Sequence, residues 1–180
     1  SKYDNRLFAM KIIHPDVNSN LYLLESILKF LYKAPIIKNY CRYYFPIDVG
    51  DFIKDFRIQT DMVNEGNNVL NFNDFYKNQD VFIIPKVYRF SKNILIMSYE
   101  ESISFDKIQT SDYNKHKIIL LNKIFVKRNQ HTHRHMHGDL HKGNWKVRID
   151  DKNNRFKIVI YDFGFCWRMP KYISQEESLF

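Results

Sequence analysis

Two short runs, WKVRI at 145–149 and FKIVIY at 156–161, constrain the fold of this chain more than any other stretch. In the first, Trp145, Val147 and Ile149 fall on one side and Lys146 and Arg148 on the other, the period of two that marks a pleated strand. The second is more continuously apolar, as in a strand buried on both faces. DDKNN between them is built of turn formers. The two runs predict a β-hairpin. An antiparallel hairpin sets the start of its first strand beside the end of its second. Asp139 and Asn144, just before the first strand, are thereby brought to Asp162, just after the second. Two carboxylates and an amide are hard oxygen donors that suit Mg²⁺, and Mg²⁺ in turn suits a nucleotide phosphate.

The stretch leading into the hairpin is HTHRHMHGDLHKGN. His131, His133, His135 and His137 alternate, and on an extended strand they would share a face able to bind zinc. Nothing fixes such a strand and no Cys assists, so a polar connector before a functional loop is the expected reading of the 131–141 cluster. Asp139 and Asn144 are also ordinary turn formers. The two cysteines, Cys41 and Cys166, show no CxxC spacing, which points to an intracellular, reducing compartment. With 44% hydrophobic and 27% charged residues, the 180-residue chain can build a real core. The net charge of +8 is dispersed, so a nucleic-acid partner is not expected, and no window is apolar enough to span a membrane. Peripheral membrane contact stays open.

Upstream, LFAMKII at 7–13 reads as a strand with Leu7, Ala9, Lys11 and Ile13 on one face. A helix is expected over 19–33, capped by Ser19, and a second over 51–77. Tyr40, Tyr43, Tyr44 and Phe45 are expected to pack locally between them. The apolar stripe of the second helix runs Ile58, Met62, Glu65, Val69, Phe72, Tyr76, which puts a carboxylate in the middle of a buried face. Such a group needs a partner, since burying it unpaired is costly. VFIIPKVYRF (81–90) and ILIMSYE (94–100) read as strands joined by a short turn at 91–93. A third helix covers 112–128, with Ile118, Leu121 and Phe125 on its apolar face, widened by Ile124, and 166–180 reads as irregular.

HGDLHKGN at 137–144 followed by DFG at 162–164 resembles the catalytic and metal-binding segments of protein-kinase-like enzymes, and within them the UbiB-type atypical kinases associated with coenzyme Q biosynthesis. FAMKIIHPDV at 8–17 resembles that family's lysine strand, DMVNEGNN at 61–68 its glutamate helix, and PKVYRFSKNILIMSYE at 85–100 its hinge strands. The likeness runs in order over about residues 7–165. It implies an α+β, two-lobed kinase-like fold, here partial: an N-lobe-like part over 1–101 with an antiparallel sheet and an inserted helix, and a shortened helical C-lobe over 102–180. Where the family has Ala, Pro and a hinge Glu, this chain has Gly138, Lys142 and Ser98. Gly138 is closer to the loop of small-molecule phosphotransferases of the aminoglycoside and choline kinase kind.

The resemblance implies ATP and Mg²⁺ as cofactors and a phosphotransferase or ATPase as the activity, with an unidentified small-molecule, lipid or protein acceptor. A small-molecule phosphotransferase or a nucleotide-binding pseudokinase scaffold is the alternative. Lys11 is implied to contact the phosphates and pair with Glu65, Asp162 and Asn144 to hold the metal, and Asp139 to orient or deprotonate the acceptor. Ala9 and Met97 are implied to line the adenine site, with the backbone around Tyr99–Glu101 hydrogen-bonding the base. His137 is read as a buttress of the loop.

Overall fold

A computed structural model of the chain describes residues 7–31, 33–35, 43, 49–150 and 155–170. Among the described residues, two three-stranded sheets, a two-stranded ladder and four α-helices make one α+β arrangement. The first sheet is antiparallel, in the order β1 (Phe8–Ile12), β4 (Ile94–Ser98), β3 (Val87–Ser91). The second places the expected hairpin, β6 (Trp145–Asp150) and β7 (Arg155–Ile160), beside the short strand β2 (Phe82–Ile83). Trp145 faces Ile160 across the hairpin, and β2 runs parallel to β7. A two-stranded ladder joins β5 (His135–His137) to β8 (Cys166–Arg168).

The strand alternation holds where it was read. Phe8, Met10 and Ile12 are exposed, while Ala9 and Lys11 face inward, and Ala9 lies opposite Met97. Helix α1 spans Pro15–Leu31, four residues earlier than expected. Pro15 is the cause: its fixed φ and missing N–H suit the first helical position, and Asp16 in the first turn favours the helix dipole. Ser19 is therefore inside the helix and caps nothing.

The expected helix over 51–77 is two helices, α2 (Val49–Gln59) and α3 (Met62–Tyr76). Asp61 breaks the run. Its backbone is extended and its side chain accepts from the Val63 N–H at 2.9 Å, an N-cap for α3. The break also takes Ile58 off the stripe and leaves it exposed, whereas Met62, Glu65, Val69, Phe72 and Tyr76 are all buried. Helix α4 (Asp112–Arg128) has the expected bounds, with Ser111 as its cap; Ile118 and Phe125 are buried but Ile124 is exposed.

A π-turn at Asn129–His133 follows α4, so His131 and His133 do not share a strand face with His135 and His137. Residues 166–168, read as irregular, are β8. Tyr43 is exposed. Cys41, the packing of Tyr40, Tyr44 and Phe45, and the turn at 151–154 lie outside the described residues. Among the described residues no helix is long and apolar enough to cross a membrane.

One core joins the parts: the buried face of α3 meets Phe125 of α4, Ile158 and Ile160 of β7, and Phe163. Phe72 is its centre, with ring centroids 4.8 Å from Phe163 and 6.0 Å from Phe125. Such aromatic pairs contribute about 0.5–1.5 kcal/mol each beyond the area they bury. The core thus clamps the 162–164 turn against the helix that carries Glu65.

Candidate active site

Lys11 lies on the inward face of β1, and Glu65 lies one turn into α3. The Lys11 ammonium donates to Glu65 Oε1 at 3.0 Å and Oε2 at 2.8 Å. It also donates to Asp162 Oδ1 at 2.9 Å. Glu65 is 1% exposed, Lys11 37% and Asp162 46%, so the pair opens from a dry interior toward solvent at Asp162. Burial alone would push the Lys11 ammonium down, but Glu65 and Asp162 outweigh it and hold the group above its ordinary value. Burial pushes the Glu65 carboxyl above the usual range, and Lys11 draws it back only in part. The cation is therefore the secure partner, and the buried carboxylate depends on it.

Asp162 adopts a left-handed backbone, φ 56°. Asp tolerates this region better than most residues, at a cost of about 1–2 kcal/mol. Helix α3 holds the turn that follows. Asn68 donates to the Phe163 carbonyl at 2.9 Å, Asn64 to the Gly164 carbonyl at 3.2 Å, and Phe163 is buried. The DMVNEGNN stretch thus supplies the lysine's partner and two amide anchors for the turn behind Asp162. Asn64 was not singled out in the sequence; its place one residue before the buried Glu65 is the signal that marks it.

On the other side of the hairpin, Asn144 donates to the Asp139 carbonyl at 2.8 Å and to Asp139 Oδ2 at 3.3 Å. The Tyr161 N–H donates to the Asn144 carbonyl at 2.8 Å, which ties this loop to the residue before Asp162. His137 is buried under the loop. Its Nε2 lies 2.9 Å from the Tyr161 carbonyl, and its Nδ1 accepts from the Asp139 N–H at 3.3 Å. A carbonyl can only accept, so Nε2 carries the proton and Nδ1 is bare: one neutral tautomer satisfies both contacts. Burial pushes the imidazole below its ordinary value, against the pull of Tyr161, Asp162 and Asp139. A group held neutral and locked at both nitrogens orients the loop rather than moving protons.

His133 and His135 have packing roles. His133 stacks on Phe75 at 4.4 Å, and His135 meets Phe72 and Phe75 edge-on. Burial pushes both imidazoles down. Among the described residues no group of three or more His, Cys, Asp or Glu is arranged to hold a metal ion. A Mg²⁺ shared with a phosphate needs fewer protein donors. Here the donor set fits: Asp162 faces solvent, and Asn144 commits its Nδ2 to Asp139, leaving Oδ1 without a described hydrogen-bond partner.

At the hinge, Met97 is buried opposite Ala9, and Tyr99 is exposed. The Tyr99 N–H donates to the Leu7 carbonyl at 3.3 Å, and the Glu101 carbonyl accepts from Arg148 Nε at 2.8 Å. Both groups are thus already engaged within the chain. The Glu100 carboxylate takes Ser98 Oγ at 2.6 Å and Arg148 Nη2 at 2.7 Å, and its carbonyl accepts from the Tyr161 hydroxyl at 2.9 Å. This network links the hinge to Tyr161 and so to Asp162; no periodic pattern along the chain marks it.

A family model described as the ABC1 atypical kinase-like domain matches residues 2–177. The chain is similar to the probable serine/threonine-protein kinase abkC of Dictyostelium discoideum, 27% identical over 163 residues, covering 87% of this chain and 23% of that protein. Among solved structures it is similar to the Rv3197–erythromycin complex from Mycobacterium tuberculosis, with a TM-score of 0.69 and 21% identity over 92% of this chain and 41% of that one. A more distant likeness, TM-score 0.48 and 14% identity, is to the Rio2 kinase–ADP/Mg²⁺–phosphoaspartate complex from Chaetomium thermophilum, over 73% of this chain and 38% of that one. The chain spans less than a quarter of the curated relative and about two fifths of the first of these structures.

Proposed function

The chain belongs to the ABC1 atypical kinase-like family, and from that premise we propose that it binds ATP with Mg²⁺ and transfers or hydrolyses the terminal phosphoryl group. The observation that carries this reading is the Lys11 ammonium, held between buried Glu65 and solvent-facing Asp162. A cation fixed this way is poised to meet anionic oxygens. Lys11 contacts the α- and β-phosphates while Glu65 keeps its Nζ in place. Ala9 and Met97 line the adenine site, and the Tyr99–Glu101 backbone contributes through groups not already engaged. Asp162 and Asn144 would hold Mg²⁺, which would supply positive charge to offset that developing on the phosphates. Asp139 orients the acceptor hydroxyl or water, with its backbone held by His137 and Asn144. Phosphoryl transfer depends mainly on positioning and charge, which suits a site built from fixed carboxylates and one fixed cation.

Thermal denaturation with Mg²⁺-ATP tests the reading. At a ligand concentration 100-fold above Kd, a ligand specific to the native state contributes about 2.7 kcal/mol. For a chain of this size that raises the Tm by roughly 5–10 °C. An unchanged Tm at millimolar ATP, with and without Mg²⁺, would overturn it.

A further inference from the structure

Gly138 precedes Asp139 at a position where the family resemblance leads one to expect Ala. No glycine among the described residues has a positive φ, so this one does not serve backbone freedom. The reason is space. A Cβ built on Gly138 would lie 1.9 Å from Cζ3 and 2.8 Å from Cε3 of Trp167, and 2.7 Å from Cδ1 of Phe165. The Trp167 indole occupies the place of the missing methyl group.

Trp167 stands on β8, the strand that follows the 162–164 turn, opposite Met136 of β5. The Gly138 N–H donates to the Phe165 carbonyl at 2.8 Å, and the Phe165 and Trp167 rings lie 5.2 Å apart. The turn bearing Asp139 is therefore held from two directions: by Asn144 and His137 on the hairpin side, and by β8 with its two aromatic rings on the other. The Asp139 carboxylate itself has few ties, Asn144 at 3.3 Å and the His141 ring at 3.7 Å, so its aim depends on the backbone beneath it.

We infer that Trp167 is a positioning residue for Asp139, and that Gly138 and Trp167 form an obligate pair. The indole seated against Gly138 fixes the turn that presents the Asp139 carboxylate, and couples that turn to the strand leaving Asp162. The pair also gives Gly138 a local cause, with no need of a different class of phosphotransferase. Trp167 is exposed and not part of the central core, so its replacement leaves the main packing intact.

The catalytic part of this inference rests on the proposed phosphoryl transfer; the coupling of the pair does not. The test compares the parent chain with W167A, G138A, the double variant and W167F, by steady-state turnover, Mg²⁺-ATP affinity and amide hydrogen exchange. A misplacement of about 1 Å at a reacting group can cost on the order of 100-fold. W167A and G138A are each expected to lower kcat about 10- to 100-fold with Kd for Mg²⁺-ATP changed by no more than about twofold. The double variant is expected to lose no more than G138A alone, since two changes that break one contact do not multiply. W167F keeps a flat ring on the glycine and should recover most of the turnover. Exchange across 137–144 should quicken in W167A and G138A while α3 stays protected. Multiplied losses in the double variant, or loop exchange unchanged in both single variants, would overturn the inference. A parent chain without turnover would remove the phosphoryl-transfer reading, and the exchange comparison alone would then decide the pair.

Discussion

Replacing Lys11 with Met removes the cation that compensates a carboxylate 1% exposed, while the unbranched stem is kept. Glu65 then faces a choice between burying an unpaired charge and taking up a proton. Asp162, which loses the same partner, adds like-charge repulsion and favours the proton. The ordinary Glu value is 4.5, and burial already raises Glu65 above it in the parent. Removing Lys11 raises it further. A carboxyl whose folded pKa exceeds its unfolded value binds protons more tightly when folded. It therefore loses stability as pH rises from the unfolded value to the folded one. The variant and parent should coincide, apart from packing, at pH near 5, and diverge above it by up to about 1.4 kcal/mol per pH unit. From 4.5 to neutrality the ceiling is about 3.5 kcal/mol, in line with the cost of breaking a buried pair. At pH 7 that corresponds to a Tm lowered by at most roughly 7–14 °C. Urea denaturation of both proteins between pH 5 and 8 reads the difference directly. A gap that does not change with pH, or no gap at pH 7, would refute the claim that Lys11 compensates a buried Glu65 charge.

The same geometry sets the outcome for three further variants. His137→Ala should cost about 2–4 kcal/mol in chemical denaturation, because it opens a cavity and strips the Tyr161 carbonyl and Asp139 N–H of partners. Because burial holds the His137 folded pKa below its unfolded value, the parent should lose stability as pH falls below 6.5, and the variant should lack that contribution. Asn68→Ala should cost about 1–3 kcal/mol and quicken exchange of the 162–164 turn, since it leaves the Phe163 carbonyl without its buried donor. Asp139→Asn should lower turnover about 10²–10⁴-fold if the carboxylate acts as a general base, with Mg²⁺-ATP affinity in calorimetry unchanged.

Local patterns were legible and distant pairings were not. The hairpin could be read because Trp145, Val147 and Ile149 alternate, and α4 because Ile118 and Phe125 recur at helical spacing from a Ser111 cap. The Glu65 stripe could be read for the same reason, as could its need for a partner; that the partner is Lys11 came from the family resemblance. The break at Asp61 was hidden because the spacing from Ile58 to Met62 continues the stripe; only the cap separates the helices. Alternation alone left a shared strand face for the histidines as a bare possibility beside the expected connector, because it carries no sign of a π-turn. The pairing of β2 with β7 and of β5 with β8 joins segments far apart in sequence, and no local period announces either. The place of Trp167 over Gly138 follows from that second pairing, so the glycine read only as a departure from the family pattern.

Calorimetric titration of Mg²⁺-ATP into the parent chain and into Asp162→Asn tests the central claim most directly, that Asp162 and Lys11 form one nucleotide and metal site. The parent should bind one Mg²⁺-ATP. The variant keeps the shape of the side chain but loses the charge that faces Lys11 and the metal, so its affinity should fall at least about 10-fold, a loss of about 1.4 kcal/mol. Nucleotide without Mg²⁺ should bind the two proteins with a much smaller difference. Equal Mg²⁺-ATP affinity in parent and variant, with both shown to be folded, would contradict the account.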